Sequence, residues 1–373
     1  MKCIHQRPLS RAKEQTLLSS RWARDSLLTH FFGILALSLA ILFGGSLLAF
    51  SANAQTLYLD EQFGFTRTTG VTYATQLVGS PATNMDLKLE LFQPSGAGVP
   101  AQNPGLILIH GGGFVGGNRF SGRLIEICEE MAKRGWVCIS IDYRLSGDDP
   151  VVNSNFQIIE TVVNDSGESS EGAAIAAASE DAWAAFNWMI DNAGSLGVDP
   201  ERIGIGGSSA GAVTALIVGY VLDDLSISAK GSIDAVFDMW GTLGDTPASI
   251  QADDPPLMIA HGEDDTTVSV SGAYALRDQS DLVGLPYEIH VFPDTGHGFN
   301  IFNYEVAPGE STFERFVSFF YVHVALETGV EVPLLSGWAA AGLVALLTGA
   351  SIAQIQSRRR GTLRRASHQP TNL

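Results

Sequence analysis

Ser209 stands in Gly207-Ser208-Ser209-Ala210-Gly211, a G-x-S-x-G spacing that joins a short β-branched run directly to an apolar stretch. A serine on such a sharp strand-to-helix turn is exposed and strained, and glycine at 207 and 211 leaves room for the tight backbone. The helix expected behind it, over residues 210–222, would aim its first N–H groups at the reacting centre and favour negative charge developing there. Ser209 is therefore the expected nucleophile. The competing reading is a glycine-rich turn whose serine is simply hydrogen-bonded.

A serine nucleophile needs a base to take its proton and a third group to orient that base. Two later loops supply both. His261-Gly262-Glu263-Asp264-Asp265-Thr266-Thr267-Val268 follows one apolar run, and Thr295-Gly296-His297-Gly298-Phe299 follows the next. Of the eight histidines, His5, His30 and His368 lie near the chain ends, His290 falls mid-strand and His323 on the last helix. His261 precedes the acid and is expected to shape its loop, which leaves His297 as the base. Glu263 and Asp264 compete with Asp265, and the H-G-x-x-D-x-x-V spacing selects Asp265.

The third element is His110-Gly111-Gly112-Gly113-Phe114. A reaction through an acyl-enzyme needs N–H donors where the carbonyl oxygen becomes negative, and one missing donor costs about 3 kcal/mol. Gly112, Gly113 and Ala210 are the expected oxyanion-hole donors, with His110 holding the loop. A bare glycine run would say little. This one follows a buried strand and precedes the elbow, which gives it weight.

These loops need a scaffold that brings them to one end. Residues 71–78 and 85–92 read as strands, the second alternating as Leu87, Leu89 and Leu91, which indicates a half-exposed antiparallel edge. Residues 106–110, apolar up to His110, read as a strand covered on both faces, and residues 136–142 as another buried strand. Further strands are expected at 235–240, 257–261 and 287–292. Helices are expected at 122–134, with Ser121 as cap and Gly135 as terminator, and at 171–192, 210–222, 271–283 and 311–326. Strands alternating with helices at this spacing imply an α/β fold: a doubly wound, mainly parallel sheet with helices on both faces. The connection over residues 240–255 is too short for a large lid domain. Residues 146–170, rich in Asp, Asn, Ser, Glu and Gly around Phe156, Ile158 and Ile159, read either as a functional flap or as a solvated acidic insertion.

The two ends have a different character. Arg7, Arg11, Lys13, Arg21 and Arg24 precede an apolar run over residues 31–50, followed by Ala52-Asn53-Ala54. This reads as a signal peptide over residues 1–54, with an uncleaved anchor as the rival. A catalytic body over 55–331 would follow. At the other end, Val332-Pro333-Leu334-Leu335-Ser336-Gly337-Trp338, an apolar run to Ile355 and Arg358-Arg359-Arg360 fit one membrane span over 332–360, with a basic cytoplasmic end over 361–373. The order of motif, apolar helix and basic cluster resembles the PEP-CTERM and IPTL-CTERM sorting tails of Gram-negative bacteria. That resemblance implies an exosortase-like or rhomboid-like membrane protease as partner, and a place in the cell envelope or at the surface; the rival is a plain tail anchor.

The full chain carries 22 Lys and Arg against 40 Asp and Glu. Without the two ends, which hold eleven basic and two acidic side chains, 11 basic residues would face 38 acidic ones. So acidic a body repels nucleic acid and anionic membrane surfaces. Of the three cysteines, Cys3 would leave with the export segment. Cys128 and Cys138 fall on an apolar helix face and in a buried strand, and are expected as buried free thiols. An exported compartment also permits a disulfide, whose geometry sequence does not supply.

Taken together, H-G-G-G-F, Asp142-Tyr143-Arg144-Leu145, Asp199-Pro200-Glu201-Arg202-Ile203, G-G-S-S-A-G, H-G-E-D-D and G-H-G-F, in that order, resemble the α/β-hydrolase esterases of the hormone-sensitive-lipase and BD-FAE-like carboxylesterase group. The resemblance covers about residues 70–325. It implies hydrolysis of small carboxylic esters with no metal or organic cofactor, by a triad of Ser209, Asp265 and His297. Ser-Ala-Gly-Ala departs from the usual S-A-G-G. Two rival readings are a secreted peptidase of prolyl-oligopeptidase type and a non-catalytic surface-adhesion module on a hydrolase fold. The H-G-G-G loop argues against the first and an intact triad against the second.

Overall fold

The computed structural model describes residues 56–162, 169–227, 230–244 and 246–326. The export segment and the sorting tail expected at the two ends lie outside the described residues. Eight strands form one sheet: β1 (Gly64–Val78), β2 (Thr83–Ser95), β3 (Asn103–Ile109), β4 (Val137–Ile141), β5 (Val198–Ser208), β6 (Ala235–Met239), β7 (Leu257–Gly262) and β8 (Tyr287–Phe292). Their spatial order is β1-β2-β4-β3-β5-β6-β7-β8. The first two form the antiparallel edge, and β3 to β8 run parallel.

The continuous apolar runs are strands whose alternate residues enter two separate cores. In β3, Ile107 and Ile109 join the core beneath α2 (Ser169–Asp191), α3 (Ala210–Tyr220) and α4 (Val270–Val283). Leu106 and Leu108 join the other, beneath α1 (Leu124–Lys133) and α5 (Thr312–Phe320). Gly204 on β5 lets α5 lie directly against the sheet, since a Cβ there would collide with the Phe320 ring. Between β6 and β7 the described residues hold only a 3-10 turn, Pro247–Ser249. Among the described residues no helix is long and apolar enough to cross a membrane.

The structure corrects several expectations. Helix α1 begins at Leu124 with Arg123 at its N-cap and no side-chain cap. Ser121 instead accepts the Asn118 N–H at 2.9 Å, closing the preceding turn. Helix α5 stops at Phe320 and continues as a π-helical turn, Tyr321–Ala325. Cys128 on α1 and Cys138 on β4 form a disulfide rather than free thiols. Both belong to the core that α1 shares with β4, and that packing brings their Cα atoms within 5.2 Å. Helix-to-sheet packing is not visible in sequence, whereas the burial of both side chains was.

The segment after β4 is tied down in its described part. Phe156 and Ile159 are buried as expected, but Ile158 is exposed. Pro150 bridges to Val78. Arg144, fully buried, grips the Asp181 carboxylate through Nε at 3.0 Å and Nη2 at 2.8 Å, and donates to Val151 O at 3.0 Å and Leu77 O at 3.3 Å. Burial pushes the Asp181 carboxyl up to about 6 even with Arg144 acting against it. Replacing Arg144 would leave the buried Asp181 carboxylate without its cation, a loss of about 3–5 kcal/mol, whereas Arg144 without Asp181 would still hold Glu180 at 2.7 Å.

Candidate active site

Ser209 sits where β5 turns into α3, at φ 54° and ψ −122°, outside the ordinary regions for an L-residue. Its neighbours explain how the turn closes. A Cβ on Gly207 would strike the backbone of Gly211, and one on Gly211 would strike the carbonyl of Ile109. The Ser209 N–H donates to Met239 O on β6 at 2.9 Å, which locks the elbow to the neighbouring strand.

The two later loops meet the elbow. His297 Nε2 lies 2.9 Å from Ser209 Oγ, and His297 Nδ1 donates to Asp265 Oδ2 at 2.7 Å. The other carboxylate oxygen, Asp265 Oδ1, accepts the N–H of Thr267 at 2.8 Å and of Val268 at 2.9 Å. Burial works to raise the Asp265 carboxyl, but the bonds from His297, Val268 and Thr267 outweigh it and hold the group below its ordinary value. It stays ionised and able to orient an imidazolium. Of the three candidate acids only Asp265 is buried; Glu263 and Asp264 are exposed and their amides serve Phe292 O and Thr295 O. The structure thus brings together Ser209, Asp265 and His297 in the relation of a nucleophile, its base and the base's orienter.

Gly113, Ala210 and Ser209 share the wall of one cavity of about 690 Å³. Gly112 and Gly113 have φ of 130° and 60°, which only glycine adopts freely. Among the described residues neither amide donates to a carbonyl, and the Ala210 amide opens α3, where first-turn N–H groups have no intrahelical partner. Gly113 and Ala210 line the cavity and Gly112 precedes Gly113 in the same loop, its carbonyl accepting the N–H of Val115 and Gly116, each at 3.1 Å. Phe114, Ile175 and Val213 give the cavity apolar walls, Thr242, Thr267 and Ser271 add hydroxyls, and Glu171 adds one carboxylate.

His110 holds the glycine loop from inside. It is buried, stacks on Tyr143 with ring centroids 4.2 Å apart, and its Nδ1 donates to Gly111 O at 2.8 Å. The Tyr143 hydroxyl donates to His110 O at 3.0 Å. Desolvation lowers the His110 pKa, so the ring is a neutral strut.

A second support was not found by sequence reasoning. Arg119, just past the loop, pairs with Glu90 at 2.9 Å and Asp142 at 2.6 Å, and its N–H donates to Asp142 Oδ1 at 2.8 Å. Desolvation acts to raise Glu90, but Arg119, Arg67 and the Gly70 N–H outweigh it and lower its pKa. No sequence signal pointed to it: the alternation of Leu87, Leu89 and Leu91 puts Glu90 on the face expected to be exposed, whereas the structure buries it, where a carboxylate requires a cation. Among the described residues no cluster of three or more His, Cys, Asp or Glu could hold a metal ion.

A mainly parallel eight-stranded sheet, an antiparallel first hairpin, helices on both faces and a serine elbow after the fifth strand define the α/β-hydrolase fold. Comparisons with known proteins agree. Three family models match successive stretches: BD-FAE over residues 89–164, alpha/beta hydrolase fold over 172–243, and prolyl oligopeptidase family over 243–321. An AB hydrolase superfamily protein of Schizosaccharomyces pombe is 30% identical over 132 residues, covering 35% of this chain and 31% of that protein. The esterase LipI of Mycobacterium tuberculosis is 27% identical over 136 residues, covering 36% and 34%. Lipase 2 of a Moraxella species is 29% identical over 114 residues, covering 30% and 20%. The matched stretch therefore spans about a third or less of these curated relatives. A thermophilic esterase structure from Thermogutta terrifontis superimposes with a TM-score of 0.50 at 23% identity, over 69% of this chain and 95% of that one, a likeness of fold.

Proposed function

We propose that the chain is a serine carboxylesterase that hydrolyses short-chain or small aromatic esters through an acyl-enzyme. The observation that carries this is the unbroken relay from Ser209 Oγ through His297 to Asp265, at 2.9 and 2.7 Å, on the wall of the cavity that Gly113 and Ala210 also line. As Ser209 Oγ adds to the ester carbonyl, His297 Nε2 takes its proton and the carbonyl oxygen becomes an oxyanion received by the amides of Gly112, Gly113 and Ala210. Collapse expels the alcohol, which receives that proton from His297. Water then adds to the acyl-serine by the same base, releasing the acid and restoring the serine hydroxyl.

Hydrolysis of p-nitrophenyl acetate and butyrate tests the reading. Ser209→Ala should lower kcat by about a millionfold and leave the fold intact, with only residual catalysis from the remaining donors. A variant that keeps substantial turnover would remove Ser209 from the role.

The prolyl-oligopeptidase match over residues 243–321 favours a second reading, a serine peptidase built on the same acid and histidine loops. Against it stands the H-G-G-G loop as the source of oxyanion donors. Peptide anilides hydrolysed faster than the acetate and butyrate esters would reverse the order. We also place the enzyme outside the cytoplasm, with its tail presented to a membrane protease. The Cys128–Cys138 disulfide supports an oxidising compartment. Intact mass of the protein from its native host tests the tail, and a C-terminus at Leu373 would sink the sorting idea.

A further inference from the structure

His261 is the penultimate residue of β7 and is fully buried. Its Nε2 lies 3.0 Å from Val268 O and 3.3 Å from Asp265 Oδ2. A carbonyl can only accept, so Nε2 carries the proton, and Nδ1 is left buried without a partner among the described residues. A second proton would put an unpaired donor on Nδ1 in the interior, and desolvation accordingly lowers this histidine's pKa. The charged or titratable groups facing the ring are Asp265 and His297.

Two hydrogen bonds and one close polar contact form a small closed ring. Val268 gives its N–H to Asp265 Oδ1 and its carbonyl to His261, while His261 Nε2 also faces Asp265 Oδ2, the oxygen that His297 uses. Gly262 keeps the strand end close to the histidine loop, because a Cβ there would collide with the carbonyls of Thr295 and Gly296. From this geometry we propose that His261 is a positioning residue of the triad, a neutral donor that clamps Val268 and Asp265 in register for His297.

The chemistry explains why a neutral ring suits the place. When His297 takes the serine proton it becomes a cation, and a Lys or Arg at 261 would oppose it through the shared carboxylate. A neutral N–H supports the carboxylate without that opposition. A leucine of similar volume would preserve packing and remove the clamp, whereas glutamine places an amide N–H where Nε2 stands.

The proposal rests on the esterase reading, and the test separates the two. Wild type, His261→Leu, His261→Gln and His261→Asn are purified as the full chain. They are assayed on p-nitrophenyl butyrate, with circular dichroism for fold and proton NMR for the downfield resonance of the His297 Nδ1 proton. Leu should fold, lower kcat about tenfold or more with KM within about twofold, and shift or broaden the resonance; Gln should recover most of both. A folded Leu variant with unchanged kcat and resonance overturns the proposal. If Leu does not fold, Gln against Asn decides, since the asparagine amide stops one methylene short: a weaker Asn supports the clamp, and equal activities overturn it. If wild type hydrolyses no ester, the function reading fails by itself. The resonance in Gln and Asn then still decides, displacement in Asn alone supporting the clamp and an identical signal in both overturning it.

Discussion

Two aspartates, one inside β6 and one in the turn after the neighbouring β7, are both removed from water and behave in opposite ways. Asp265, in the turn after β7, meets the N–H groups of Thr267, Val268 and His297, and its pKa is lowered. Asp238, inside β6, is completely buried and accepts one hydrogen bond, from the Gly241 N–H to Oδ1 at 2.7 Å, with Oδ2 unpartnered among the described residues. Desolvation pushes its carboxyl up to about 7, against which the Gly241 bond is too little. The comparison separates burial from solvation by donors. Burial alone makes a carboxylic acid, and donors aimed at both oxygens make a carboxylate fit to orient a base.

The largest expected effect lies on the donor-rich side. Asp265→Asn keeps the shape but presents an amide where His297 Nδ1–H needs an acceptor, so the imidazole loses its orientation and its counter-charge. Turnover should fall on the order of a thousandfold to ten-thousandfold, with the melting temperature much less affected. Retention of most activity would mean that the carboxylate is dispensable and that its donors serve only the loop.

Asp238→Asn tests the other side by stability. With a folded pKa near 7 against an ordinary 3.8, the native state holds a proton that the unfolded chain has released between those values. Stability must therefore fall as pH rises through this window, the opposite of the Asp265 contribution, which is present above the unfolded pKa and lost as pH falls through the folded one. Asparagine reproduces the hydrogen-bonding pattern of the protonated acid. Wild type and variant should melt alike near pH 4, and the variant should be the more stable above pH 7, by on the order of 3 kcal/mol. Parallel melting curves across the range would show that Asp238 is ionised throughout and finds donors in solution.

Much of this was legible in the sequence. Residues 203–212 carry the elbow because its glycines are dictated by local collisions, and strand runs such as Leu106–Ile109 carry the sheet because alternate residues serve two cores. The meeting of Ser209, Asp265 and His297 was legible because each lies in a short connection directly after a strand. What escaped depends on contacts between distant elements. The Cys128–Cys138 bond needs α1 laid on β4 in one register, and the Arg119–Glu90–Asp142 network joins a loop to β2 and to the residue just after β4. Asp238 also left a trace, as the only charge in Ala235–Met239, but sequence does not say whether a donor awaits it.

The smallest expected effect concerns Asp264, next to the triad acid. Its N–H donates to Thr295 O at 2.9 Å, a backbone bond that any substitution except proline preserves. Its side chain is exposed, and among the described residues its carboxylate meets no donor. Asp264→Asn therefore removes one screened charge and no hydrogen bond. It should change kcat/KM by less than about twofold, within the half kcal/mol usual for surface substitutions. The contrast with Asp265→Asn is the useful quantity, because both variants delete one carboxylate from one loop. A ratio of at least several hundred between the two places the acid at 265 and ties its role to burial among aimed donors; equal losses would mean that the loop senses its total charge, and a reversed ranking that the acid stands one residue earlier in solution.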